Sequence, residues 1–417
     1  MRIVHVAESY LPRVGGLEVH VQKVSEGLAR RGHHVTVLTM QEDGAPSSPA
    51  SPTSELLNSV RVLRFPENHS AHRLWKLRGA YRLLRPIASD DRVQMITRGP
   101  LSGRLLLELL RCTVDVVSVF GWWASLLPFE VGLARKVRRW RMVGIPLFHT
   151  EEPWSRSAVH PPLLNRCDAI IVNTDHEKRF VMERMKRQTR ILVGGVGVDP
   201  DAFSDRDGRQ FRTRYGMGGG PVVGYVGRIV PSKGIPQLIN AMRFVWQWNP
   251  KVLLVLAGKR NLAIAEADRQ VELALTGLSE AERARVLLLG EFQEHEKASI
   301  YDSLDVFAMP STAESFGISY LEAWMCRKPV IGANVGSTPY VIRHGVDGLL
   351  VNPHDPMHIG QAIVRLLSDP AECARLGEAG YARTVSEFTW NRVVDRVEGF
   401  YKELRSPGPL LAPATDG

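Results

Sequence analysis

Short apolar runs alternate with stretches of helical spacing twice over, and this pattern restricts the fold of the chain more than any other feature. In the first half the runs fall at residues 3–7, 35–39, 60–65, 93–97, 114–120, 142–148, 169–172 and 191–193. In the second half they fall at 222–226, 252–257, 286–289, 305–309, 330–333 and 349–351. Strands separated by helices cannot pair as hairpins, so the pattern predicts parallel sheets with helices on both faces. A chain of 417 residues is also too long for one ordinary core. Glycine-rich segments around Gly194–Pro200 and Gly216–Pro221 bracket a polar linker. We therefore expect an α/β fold of two doubly wound domains, 1–195 and 196–388. A final helix over 389–405, with Val393, Val394, Val397, Phe400 and Tyr401 as its apolar stripe, is expected to pack back on the first domain. A Pro/Gly-rich tail, 406–417, is expected to be disordered.

Composition narrows the surroundings. The four cysteines are scattered, with no C-x2-C or Cys/His cluster, which argues against a disulfide framework or a zinc site. The N-terminal apolar run meets Glu8 too early for a signal-peptide core, and the most apolar window, 116–129, is too short to span a bilayer. A cytoplasmic protein is expected. Its net charge of +9 points to anionic partners. Two clusters, His72–Arg78 and Arg135–Arg141, mix Arg and Lys with Trp and with Leu or Val as interfacial helices do, although a solvated helix face with a snorkelling Arg has the same composition and is the preferred reading of either alone. An anionic membrane surface, with the protein peripheral at its inner face, is therefore a candidate partner, and nucleic acid is not expected. Residues 41–59, rich in Ser, Pro and Gly, read as a mobile loop.

Three stretches carry candidate chemistry. Gly15 and Gly16 open the first helix, and without side chains they let a ligand approach its N-terminus. After the first strand of the second half comes Gly227-Arg228 with Lys233-Gly234, two cations at the carboxyl end of a strand, where open α/β sheets bind ligands. Later, Pro310-Ser311 leads through Glu314 to Glu322 across a junction from strand to turn to helix. Free amides near Phe316, Gly317 and Ile318 suit an anion. Two carboxylates eight residues apart suit the paired hydroxyls of two sugars. The motif Asp205-Arg206-Asp207 has the D-x-D form but lies in the linker, and no metal ligand set is expected.

Taken in order, Gly15-Gly16, Gly197-Val198-Asp199, Gly227-Arg228, Lys233-Gly234, Pro310-Ser311, Glu314 to Glu322, Pro329-Val330 and Gly348 to Val351 resemble the retaining glycosyltransferases of family 4. The resemblance runs through nearly the whole chain. It implies the GT-B fold, two Rossmann-like domains facing across a cleft, and transfer of a sugar from a nucleoside diphosphate sugar to an acceptor hydroxyl. It further implies that Glu322 holds the donor ribose, that the amides of Phe316, Gly317 and Ile318 hold phosphate and sugar, that Glu314 contacts the donor sugar, and that Arg228 and Lys233 neutralise the departing diphosphate. No cofactor and no essential metal are implied.

The chain departs from the family pattern after the strand Asp115-Val116-Val117, where members often carry a histidine and none stands here. His149, Glu151 and Glu152, which follow the next strand, are the candidates for the acceptor side. Asn173, after the strand 169–172, either faces the acceptor or caps a helix, and the cap is the reading preferred. Two alternatives stay open, a sugar-nucleotide epimerase of the same fold and a nucleotide-sugar-binding protein without transferase activity.

Overall fold

The computed structural model describes residues 1–13, 15–41, 52–66, 102–121, 126–260 and 265–405. The chain forms two compact units, residues 1–195 with the C-terminal helix from Val393, and Val196–Arg392. The expected strand at 93–97, the basic cluster at 72–78 and the tail lie outside the described residues.

In the first unit the strands are β1 (Arg2–Val6), β2 (His34–Met40), β3 (Thr53–Leu57), β4 (Val60–Phe65), β5 (Val116–Phe120), β6 (Arg141–Ile145), β7 (Ala169–Val172) and β8 (Arg190–Val193). Their order in the sheet is β3-β4-β2-β1-β5-β6-β7-β8. All pairs are parallel except β3 with β4. The central strands are apolar on both faces because helices cover both, and Val4, Val6, Val117, Val119, Met142, Ile170 and Val172 lie in one buried cluster. The final helix Trp390–Arg405 seats Val393, Val394, Val397 and Tyr401 in this unit. The Tyr401 hydroxyl lies 2.5 Å from Ser118 Oγ and 3.4 Å from His5 Nε2, and His5 Nδ1 lies 2.7 Å from Ser25 Oγ. Burial lowers His5 to about 3, so it packs there as a neutral ring.

Two expectations about this unit are corrected. The supposed loop 41–59 contains β3, an antiparallel edge strand whose side chains are largely exposed and so show no apolar alternation. The cluster Arg135–Arg141 is no interfacial helix. The helix Leu127–Ala134 ends before it, Trp140 is buried where β6 begins, and Arg135 and Arg141 both pair with Asp168. Leu133 and Val137 stay exposed, but the aromatic anchor of a membrane-facing cluster points into the core. No described helix is long and apolar enough to cross a membrane.

In the second unit β9 (Val222–Val226), β10 (Leu253–Ala257), β11 (Val286–Gly290), β12 (Val306–Met309), β13 (Val330–Ala333) and β14 (Gly348–Val351) form a parallel sheet in the order β11-β10-β9-β12-β13-β14. The chain runs outward from β9 to one edge, then returns to start again beside it at β12. A doubly wound sheet of this order opens a crevice at the carboxyl ends of the two strands flanking the reversal. The supposed linker belongs to this unit: the helix Gly208–Arg214 and the turn Pro200–Phe203 bury Phe211 and Phe203. Of the two D-x-D carboxylates, Asp207 caps that helix by accepting from the Gln210 N–H, and the arginine between them, Arg206, pairs with Asp302.

Candidate active site

The reversal between β9 and β12 brings together the two motifs that are far apart in sequence. The loop leaving β9 carries Gly227, Arg228 and Lys233, and the loop leaving β12 carries Glu314. Ser232 O stitches them, accepting from Thr312 N at 2.9 Å, from Ser311 Oγ at 2.9 Å and from Thr312 Oγ1 at 3.2 Å. Gly234 is left-handed at φ 75°, and a Cβ there would stand 2.2 Å from Pro310 O. Only glycine permits that approach. The Lys233 ammonium bonds directly to Glu314, and both side chains are nearly buried, 14% and 7% exposed. Arg228 is exposed, and its guanidinium forms no ion pair among the described residues; its carbonyl accepts from Tyr225 Oη at 2.7 Å.

Behind Glu314 the chain turns through Phe316, buried against Phe388, into the helix Ile318–Met325. Gly317 caps it at φ 92°, a conformation costly for any residue with a Cβ. Ser319 Oγ donates to Val226 O at 3.2 Å and so holds the helix start against the end of β9. The backbone N–H groups of Phe316, Gly317 and Ile318 have no hydrogen-bond partner among the described residues. They form an unfilled donor set at a helix N-terminus.

Glu322, one turn further on, is only 13% exposed and is held from both sides. Lys297 Nζ donates to Oε1 at 3.0 Å and Tyr301 Oη to Oε2 at 2.7 Å. Burial works against the charge on Lys297, but Glu322 and Glu294 outweigh it and hold the ammonium above its ordinary range. Burial, together with Glu322, raises Tyr301 well above its ordinary value, so the phenol remains a donor.

In the first unit the helix Gly16–Arg30 begins with Gly15 as its cap. Its N-terminus is met by the chain's own Glu18, whose Oε2 lies 2.4 Å from where a Gly15 Cβ would stand, and whose Oε1 accepts from Ser9 Oγ at 2.5 Å. An anion reaching Gly15 and Gly16 would have to share that position with a carboxylate. His149, Glu151 and Glu152 lie in the loop after β6, which ends at Ile145 because Pro146 and the left-handed Leu147 break the strand expected to reach 148. Glu151 Oε1 accepts from Thr150 Oγ1 at 2.5 Å and lies 3.4 Å from His176 Nε2. Glu152 N donates to His149 O at 2.9 Å, and the His149 ring lies 6.2 Å from Trp154.

Glu177 fixes this loop. From the helix Asp175–Met182 it accepts from Phe148 N and Asn173 N, both at 2.8 Å, and thereby clamps the ends of β6 and β7. Burial raises its carboxyl to about 7 in spite of those two donors. A folded value above the unfolded one makes a contribution that is complete below about 4.5 and is lost as pH rises through about 7, worth about 3 kcal/mol. Urea midpoints across pH 5 to 8 are expected to fall less steeply for Glu177→Gln than for the wild type. Parallel curves would remove Glu177 as a titrating group.

Residues 14–202 match the family profile described as glycosyltransferase family 4, and residues 210–383 the profile described as glycosyl transferases group 1. A D-inositol 3-phosphate glycosyltransferase of Geodermatophilus obscurus is 30% identical over a 434-residue alignment covering 96% of this chain and 89% of the relative. The chain belongs to glycosyltransferase family 4. A second relative of the same description, from Stackebrandtia nassauensis, is 30% identical over 277 residues, 64% of this chain and 61% of its own length. Among solved structures, Anabaena Alr3699/HepE in complex with UDP-glucose superposes with a TM-score of 0.74 at 21% identity, covering 97% of this chain and all of the other. That likeness is one of fold, GT-B, and it agrees with the two parallel sheets described above.

Sequence reasoning of the family 4 kind missed Lys297, Tyr301, His176 and Glu177. Lys297 and Tyr301 stand on the helix Lys297–Asp302, with nothing local to tie them to Glu322. His176 and Glu177 open a helix with ordinary capping chemistry. Asn173 corrects an expectation, because the cap is Thr174, which accepts from Glu177 N, while Asn173 Oδ1 is buried without a partner among the described residues.

Proposed function

We propose that the chain transfers a sugar from a nucleoside diphosphate sugar to an acceptor hydroxyl, with retention of anomeric configuration and without an essential metal. The observation that carries this reading is the junction of β9 and β12, where Lys233 and Glu314 meet beside the unfilled amides of Phe316, Gly317 and Ile318. In the reaction the bond from the anomeric carbon to the diphosphate oxygen breaks, a bond to the acceptor oxygen forms, and the hydroxyl proton leaves with the diphosphate. Negative charge builds on the leaving group during bond cleavage. Amides, Lys233 and Arg228 fixed beforehand stabilise that state more than the ground state. Glu314 takes a hydroxyl of the donor sugar and Glu322 the ribose.

Family 4 membership and relatives described as D-inositol 3-phosphate glycosyltransferases support transfer over epimerisation. A uridine donor is the first to test, because Anabaena HepE, of the same fold, was solved with UDP-glucose. In a thermal-shift panel of UDP-, GDP- and ADP-sugars, the true donor at 100 times its Kd is expected to add about 2.7 kcal/mol of stability. Product anomers read by NMR then test retention, and activity in excess chelator tests metal independence. Conversion of the sugar nucleotide to its epimer without an acceptor would overturn the assignment.

A further inference from the structure

We infer that the acceptor side is built for a neutral or cationic polyhydroxy compound and against a phosphorylated one, with Glu151 as the residue that sets this choice. The inference rests on the transferase reading above. Glu151 Oε2 and Asn173 Oδ1 are both buried and have no hydrogen-bond partner among the described residues, and Asn173 is only 3% exposed. They stand in the loops at the carboxyl ends of adjacent strands β6 and β7, which Glu177 ties together through Phe148 N and Asn173 N. Both loops leave the same end of two neighbouring parallel strands.

A carboxylate oxygen and an amide carbonyl can only accept hydrogen bonds, so what completes them must bring O–H or N–H groups. Leaving such atoms unfilled is costly, which gives a polyol or an amino sugar a reason to bind here. A phosphate monoester brings acceptor oxygens and close to two negative charges. Against Glu151, whose only charge partner among the described residues is His176, and with Glu152 beside it, that group is repelled. The relatives described as D-inositol 3-phosphate glycosyltransferases are thus expected to differ from this chain in acceptor charge, within one family and one fold.

The test measures nucleoside diphosphate release by the full-length protein with myo-inositol, glucose and glucosamine, each paired with its own monophosphate. The wild type is expected to favour the unphosphorylated member of at least one pair by about tenfold or more in kcat/KM. Glu151→Gln, which keeps the shape and removes the charge, is expected to narrow that ratio about tenfold. Because both members are read on the same preparation, loss of folded protein cancels. An Asn173→Asp variant, which adds a charge at the second unfilled atom, is expected to widen the ratio. Preference for the monophosphates, turnover of the donor with no neutral acceptor used, or a ratio unmoved in Glu151→Gln overturns the inference. Absence of nucleoside diphosphate release from every donor sinks the transferase reading instead.

Discussion

Lys233→Ala is expected to lower kcat about 10- to 100-fold while donor KM moves much less, and to destabilise the fold as well. The two effects have different origins. The ammonium is bonded to Glu314, and both side chains are nearly out of solvent. Removing the lysine leaves a desolvated, unpaired carboxylate, a situation that costs about 3 to 5 kcal/mol in comparable buried pairs. A single variant would confound structure with chemistry. The double variant Lys233→Ala/Glu314→Gln isolates the structural part, because it removes the stranded charge and is expected to recover most of the stability, while turnover stays low for want of both the ammonium and the carboxylate proposed to hold the donor sugar. Recovery of kcat in the double variant would make Lys233 a structural partner of Glu314 only. A donor KM that rises more than kcat falls would take it out of the leaving-group role.

The fold was legible wherever burial writes a pattern into the sequence. β9, β12 and β13 sit in the middle of their sheet, are buried on both faces, and appear as uninterrupted apolar runs. β3 was not legible, because an edge strand with exposed side chains has no apolar face to announce it. The Trp140 cluster misled for the converse reason: its composition is that of an interfacial helix, but the strand starting at Arg141 turns the indole inward. At the candidate site, motifs carried on one loop were readable, while partners supplied by other elements were not. Glu322 reads as an isolated helix carboxylate until Lys297 and Tyr301 are seen on either side of it, and Asn173 reads as a cap until Thr174 is seen to take that place. Local sequence records what a residue can offer. It does not record which of its bonding positions the fold has already filled.

That accounting makes Glu322→Gln the second large expected effect. A carboxylate has about four lone-pair directions. Lys297 occupies one on Oε1 and Tyr301 one on Oε2, so each oxygen keeps one for a ligand, and two neighbouring ribose hydroxyls match the two that remain. An amide cannot reproduce this. Turned one way, the glutamine sets its NH2 against the ammonium, donor against donor; turned the other way, the phenol oxygen can accept from the NH2, but the position proposed for a ribose hydroxyl on that side becomes a donor and the negative charge that strengthens both contacts is gone. Donor KM is therefore expected to rise about 10- to 100-fold in Glu322→Gln, with kcat much less affected because the ribose lies away from the bond that breaks. This is the opposite split from Lys233→Ala, which makes the pair diagnostic. Tyr301→Phe, which removes one donor and leaves the carboxylate intact, is expected to raise KM only a few-fold through loss of orientation. If Glu322→Gln binds the donor as the wild type does, Glu322 is a structural anchor for Lys297 and Tyr301, and the ribose must be held elsewhere.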